Sequence, residues 1–294
     1  MWKYTTTKNK FSDKEHECIT AVVSQIEPGR GTVTVVYEGT ELYLFRNEQI
    51  PGEVLEEGKP VKVYITGIVN KTKKPIIKIS RSHKDLVKRL FELEVPEIYD
   101  GTVEVKSISR EAGSRTKIAV WSKDPNVDAI GACIGPKRAR ISAIVNELNG
   151  EKIDIIPYSE KPEEFIARSL APSEVLKTVI TNADEKTCTV IVPNNQLSLA
   201  IGNRGQNAKL AAKLTGYKID IKPQFDTVTG EEAPEMKKNF AESGMTEENS
   251  DEDIIIADEQ TPAEETIDLD DSAEVSEPVE ENTEEKAEEE KTEE

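Results

Sequence analysis

IGNRGQNAKLAAKLTG (Ile201–Gly216) places two glycines three residues apart around an Asn-Arg pair and runs directly into an alanine-rich helical stretch. Glycine lets the chain turn sharply and leaves no Cβ where another backbone approaches. A helix that begins at such a turn offers its free N–H groups and the positive end of its dipole. Asn203 and Arg204 at the tip add a donor and a cation, so the joint suits an incoming phosphate.

The stretch has a counterpart upstream. VDAIGACIGPKRARISAIVNELNGEKIDII, ending at Ile156, aligns with LSLAIGNRGQNAKLAAKLTGYKIDIK, ending at Lys222. Ile134-Gly135 matches Ile201-Gly202, Leu148 matches Leu214, Gly150 matches Gly216, and Lys152–Ile155 matches Lys218–Ile221. Each copy follows two β-runs, TVEVKSISREAGSRTKIAVWS and VLKTVITNADEKTCTVIVP, and each is led by a helical segment, SHKDLVKRLFELE or KPEEFIARSLAPSE. A period of 66 or 67 residues is too long for a solenoid repeat and suits a small α/β domain used in tandem.

A Gly-x-x-Gly turn joining two helices is the signature of the KH domain, whose loop clamps about four nucleotides of backbone. Arg204 then holds phosphate, with base edges read near Asn207 and Lys209. In the first copy the loop is Gly135-Pro136-Lys137-Arg138, with base edges read near Arg140. Arg138 replaces the closing glycine, adding a cation and also a Cβ at a point of close approach, so the first copy is expected to bind RNA more weakly or less selectively. Paired Gly202→Asp and Gly205→Asp changes are expected to abolish most binding with the fold intact.

Ahead of the repeat, CITAVVSQIEPGRGTVTVVYEGTELYLF reads as three short strands and GKPVKVYITGIVNKTKKPIIKIS as two more. Five strands in this span suit a Greek-key barrel of the OB type, which binds single strands by stacking bases on exposed aromatics beside a cationic groove. Tyr37, Tyr43 and Phe45 are the stacking candidates, and alternation places Tyr43 and Phe45 on one face. The expected layout is a short extension (1–15), the barrel (16–82), a first KH domain with its leading helix (83–159), a second (160–225) and an acidic tail (226–294).

FELEVPEIYDGTVEVKSISREAGSRTKIAV, NVDAIGACIGP, NGEKIDII and VIVPNNQLSLAIGNRGQNAKLAAKLTGYKIDIK resemble the NusA family of bacterial transcription termination/antitermination factors. The resemblance covers roughly residues 15–223. It implies an S1-type OB barrel followed by two type II KH domains. It also implies binding of single-stranded nascent RNA, action on RNA polymerase to modulate pausing, termination and antitermination, and contact with other antitermination factors. The RNA-binding set is then Gly135, Pro136, Lys137, Arg138, Arg140, Gly202, Asn203, Arg204, Gly205, Asn207 and Lys209, with Tyr43 and Phe45 from the barrel. The family begins with a helical domain that docks on the polymerase. Only MWKYTTTKNKFSDK precedes the barrel here, so that contact is expected to be missing.

Charge divides along the same boundary. Of 57 Asp and Glu and 38 Lys and Arg, residues 226–294 hold 28 of the acids and four of the cations, leaving 34 cations and 29 acids in 1–225, a net charge of +5. The tail has few aromatics and reads as disordered, a solvating segment or one that competes with phosphate for the basic face. DEDIIIADEQ within it suits a docking motif. Three scattered cysteines and two histidines argue against a metal site or a disulfide framework, and no run of apolar residues suits a membrane span. A cytoplasmic monomer without a cofactor is expected. No nucleophile–base set or Walker loop points to an enzyme. The alternative function is an RNA-binding regulator associated with ribosomes or an exoribonuclease complex. In polynucleotide phosphorylase, however, the KH module precedes the S1 module, the reverse of the order here.

Overall fold

The computed structural model describes residues 11–70 and 75–225. The acidic tail, with its expected disorder and docking motif, and most of the N-terminal extension lie outside the described residues.

The barrel is built from β1 (Cys18–Ile26), β2 (Val33–Tyr37), β3 (Thr40–Leu44), β4 (Pro60–Asn70) and β5 (Pro75–Ser80). All neighbouring strands pair antiparallel in the order β3-β2-β1-β4-β5, and β3 approaches β5 to leave the barrel nearly closed. Strict alternation drives it: Ile19, Ala21 and Val23 from β1 and Leu42 and Leu44 from β3 point inward, and Phe11 joins the same core. Tyr37 turns toward Phe11, with ring centroids 5.9 Å apart, and lies under the Lys14 ammonium.

The two α/β modules repeat one topology. The first comprises α1 (Lys84–Glu94), α2 (Pro96–Tyr99), β6 (Val103–Glu111), β7 (Arg115–Ser122), α3 (Ala129–Ile134), α4 (Ala139–Glu147) and β8 (Lys152–Pro157). The second comprises α5 (Pro162–Ser169), β9 (Lys177–Asn182), β10 (Thr187–Val192), α6 (Leu197–Ile201), α7 (Gln206–Thr215) and β11 (Lys218–Pro223). In each sheet the middle strand pairs antiparallel with the strand before it and parallel with the strand after the helices. That is the expected type II order. Pro96 ends the leading helix by opening a new short one at its first position, where its missing N–H costs nothing.

The modules are locked by buried contacts. Arg81 is 1% exposed; it bonds both Glu53 carboxylate oxygens and Glu147, and donates to the carbonyls of Lys62 and Glu147. Arg110 and Glu151 form a second buried pair at 2.9 Å, and Arg110 also holds the carbonyls of Arg81 and His83 at 2.8 Å each. Ile50 and Tyr64 of the barrel sit in the core of the first α/β module.

Between the two α/β modules, α5 and α7 pack on the sheet face that α1, α3 and α4 leave open. Phe165 and Leu214 bury against Ala119 and Ile156 there. On the same face, burial lowers the pKa of the Lys117 ammonium and the Asp154 carboxylate, 3.1 Å away, opposes the shift. Lys117 also donates to the Ala171 carbonyl at 2.7 Å, tying the sheet to the segment after α5.

Candidate nucleic-acid interface

The two turns have the same backbone. Gly135 and Gly202 sit at φ 72°, ψ 172° and φ 75°, ψ 174°; Lys137 and Arg204 at φ 50°, ψ 28° and φ 52°, ψ 27°; Arg138 and Gly205 at φ 64°, ψ 19° and φ 74°, ψ 17°. Each is closed by an N–H donated to the first glycine's carbonyl, from Arg138 to Gly135 and from Gly205 to Gly202, both at 3.1 Å. The left-handed conformation at three non-glycine residues costs energy that an ordinary loop avoids. It lifts Lys137, Arg138 and Arg204 into solvent, where none has an ion-pair partner among the described residues.

The two glycines of a loop serve different ends. A Cβ on Gly202 would lie 2.8 Å from both the amide nitrogen and the Cβ of Asn207, and one on Gly135 would lie 2.6 Å from Arg140 Cγ. The first glycine is therefore required by packing as well as by its φ. A Cβ on Gly205 would meet only Lys209 Cε, at 3.7 Å. The closing position is thus open toward solvent, which is why Arg138 fits there. The paired aspartate change read from the sequence as leaving the fold intact fails at Gly202 on this ground, and only Gly205→Asp meets the condition.

Arg140 and Asn207, five residues after the first glycine of each loop, work inward. Asn207 is 3% exposed; its Nδ2 donates to the carbonyls of Leu170 at 2.9 Å and Ala200 at 3.0 Å. Arg140 donates to the Ala132 carbonyl at 2.6 Å and to Glu97 at 2.9 Å. Both pin the short helix before the turn, so Asn207 supports the loop from beneath and is not presented to a base. Lys209 is exposed and leans back on the Arg204 carbonyl at 3.2 Å. Pro136 and Asn203 are exposed at the tips.

Beside the first loop runs a groove of about 410 Å³ floored by Ile141, Val145 and Ile153 and rimmed by Arg138, Lys152 and Asp154. An apolar floor beside Arg138 and Lys152 has the chemistry to take bases with their phosphates outside. The far rim leads toward the second loop: Lys152 donates its N–H to the Ser114 carbonyl, and Gln206 at the start of α7 donates to Ser114 Oγ at 2.7 Å and Glu111 at 2.9 Å. Lys152 and Gln206 escaped the sequence reading. The repeated KIDI segments were the available signal for the groove wall, whereas the Gln206 contact spans 92 residues and leaves no local trace. On the barrel, Tyr43 and Phe45 are 47% and 53% exposed on one face, set apart from the Gly-x-x-Gly pair in the sequence and carried by a different module.

Residues 81–158 match the family described as the NusA-like first KH domain, and residues 162–227 the NusA-like second KH domain. The tandem pair is of the NusA type. The chain is 55% identical over 218 residues to the Bacillus subtilis protein named transcription termination/antitermination protein NusA, an alignment covering 74% of this chain and 58% of that one. The NusA proteins of Mycobacterium tuberculosis and Thermus thermophilus are 44% and 46% identical, with 74% and 72% of this chain and 64% and 54% of theirs aligned. The chain thus spans little more than half the length of these NusA relatives, and the alignments extend beyond the KH pair. Among the described residues no helix is long and apolar enough to cross a membrane.

Proposed function

We propose that this chain binds nascent single-stranded RNA along its tandem KH face, and that it modulates pausing, termination and antitermination by bacterial RNA polymerase. The observation that carries the reading is the pair of matching turns, each presenting at least one cation without an ion-pair partner among the described residues beside the start of a helix. The two are held in one body by α7, so that one strand can engage both. Lys137, Arg138 and Arg204 attract phosphates; Gly135 and Gly202 make the turns; Arg140 and Asn207 hold them in place. Tyr43 and Phe45 stack bases on the barrel. RNA polymerase and other antitermination factors are the proposed protein partners, and binding rather than catalysis is the activity.

The test is co-migration of the full chain with core RNA polymerase carrying a nascent transcript, before and after the transcript is digested. Retention in the first case supports the reading; retention surviving digestion identifies a direct protein contact. Absence of binding to both the complex and the free transcript would overturn it.

A further inference from the structure

The barrel and both KH modules meet at a cavity of about 550 Å³ on the β6 edge, and nothing in the reading above uses it. Glu48 comes from the barrel, Ser82 and Lys84 from the segment entering α1, Ser109 and Arg110 from β6, and Lys213 from α7. Lys84 and Lys213 are exposed, come from different modules, and have no ion-pair partner among the described residues. Ser109 lines the same cavity, is 3% exposed, and its hydroxyl has no hydrogen-bond partner among the described residues. A buried hydroxyl without a protein partner retains hydrogen-bonding capacity that a ligand or an ordered water can take up.

The walls are preformed. Arg110 spends its charge on Glu151 and uses Nη1 to fix the carbonyls of Arg81 and His83, while the Arg81 and Ser82 amides donate to the Glu48 carbonyl at 2.7 and 3.1 Å. The segment carrying Ser82 and Lys84 is therefore held from both sides. The Glu48 carboxylate lines the same cavity as the two lysines, and its side-chain contacts among the described residues are long, 3.4 Å from Asn47 and 3.5 Å from Ser82. Two cations and one carboxylate lining a space of this size match a nucleotide unit. A phosphate on Lys84 and Lys213 would leave a ribose hydroxyl or exocyclic amine to donate to Glu48.

The position relates this unit to the rest of the strand. Lys213 lies seven residues, about 10 Å, along α7 from the helix start at the second loop. Glu48 ends the short turn that follows Phe45. We propose that the junction cavity binds one nucleotide of the RNA as the strand passes between the second KH loop and the aromatic face of the barrel. This rests on the RNA-binding reading above.

The experiment compares two single-stranded RNAs on the full chain. One is about ten nucleotides, enough for two loops at about four each; the other is about 25. Lys84→Ala with Lys213→Ala should weaken the longer RNA about tenfold and reduce its salt dependence by about one ion, leaving the shorter unchanged. Ser109→Ala should weaken the longer RNA while leaving the unfolding midpoint level or higher. Equal affinity of the lysine variant and the parent for the longer RNA overturns the proposal, as does a Ser109→Ala that only lowers stability. Adenosine 5′-monophosphate is the third probe. Saturation that depends on Lys84 and Lys213, with long-RNA binding untouched, would assign the cavity to free nucleotides and overturn the RNA assignment. Gly205→Asp separates the two readings: if it weakens neither RNA, the KH assignment fails, whatever the lysine variant does.

Discussion

Arg138 and Gly205 hold the same left-handed backbone conformation in the two loops, within 10° in φ and 2° in ψ. The first loop thus keeps a strained side chain at a point where its duplicate uses the residue that incurs no strain. Arg138→Gly is expected to raise stability by up to about 1 kcal/mol by relieving that strain. The same change removes a cation and should lower the salt dependence of RNA binding by about one ion. Denaturant unfolding and a salt titration of RNA affinity check both signs together.

The glycines of the second loop should separate in the same way. Gly202→Ala drives a Cβ to 2.8 Å from the Asn207 amide and forces the turn to move, whereas Gly205→Ala meets only the end of a lysine side chain. We expect a loss of about 2 kcal/mol or more for the first and about 1 kcal/mol for the second, mostly backbone strain. Equal losses in urea unfolding would show that the contact beneath Gly202 is unimportant.

Asn207→Ala removes the donor that holds the Leu170 and Ala200 carbonyls, at a cost of about 1–3 kcal/mol. Because Asn207 touches no phosphate in this reading, RNA affinity should fall with the salt dependence unchanged. A shallower salt slope would place Asn207 in direct contact with RNA.

Arg81→Met leaves the Glu53 and Glu147 carboxylates without the guanidinium that pairs both at the seam between barrel and first KH module. Breaking a buried pair from one side costs about 3–5 kcal/mol. Calorimetry should show the barrel melting ahead of the remainder in the variant.

Burial pushes the Cys133 thiol up to about 12 and the Cys188 thiol up to about 11, from an ordinary value of 9.0. A group whose pKa rises on folding stabilises the fold below the unfolded value, and that contribution is lost as pH climbs through the folded one. Stability should therefore decline between about pH 9 and 12, less steeply in a Cys133→Ala, Cys188→Ala variant. Parallel unfolding midpoints across that range would exclude the thiols as the cause.

The strands, the repeat and the turns are legible in the sequence because each is set by neighbours within a few residues: alternation in TELYL, glycines at fixed spacing, a proline that stops a helix. Alternation alone puts Tyr43 and Phe45 on one face, whereas the exposure of that face is read from the structure. Asn207 could not be read this way. A polar residue one step into a helix looks solvent-facing until the carbonyl of Leu170, 37 residues earlier, is seen to need its amide. Nothing local in the sequence marks Arg81 and Arg110 as buried, since their acids lie 28 to 66 residues away. Polar seams between modules depend on the packed arrangement, and the local pattern carries no mark of them.

Helix α7 gives Ala211 to the core of its own module and Leu214 to the sheet of the other. Cutting the chain between the KH units would strip a wall from each, leaving Ala119 and Ile156 bare to water on one fragment and Phe165 and Leu214 on the other. The two copies share one packed seam. A deletion that removed either would leave the survivor with that apolar patch exposed.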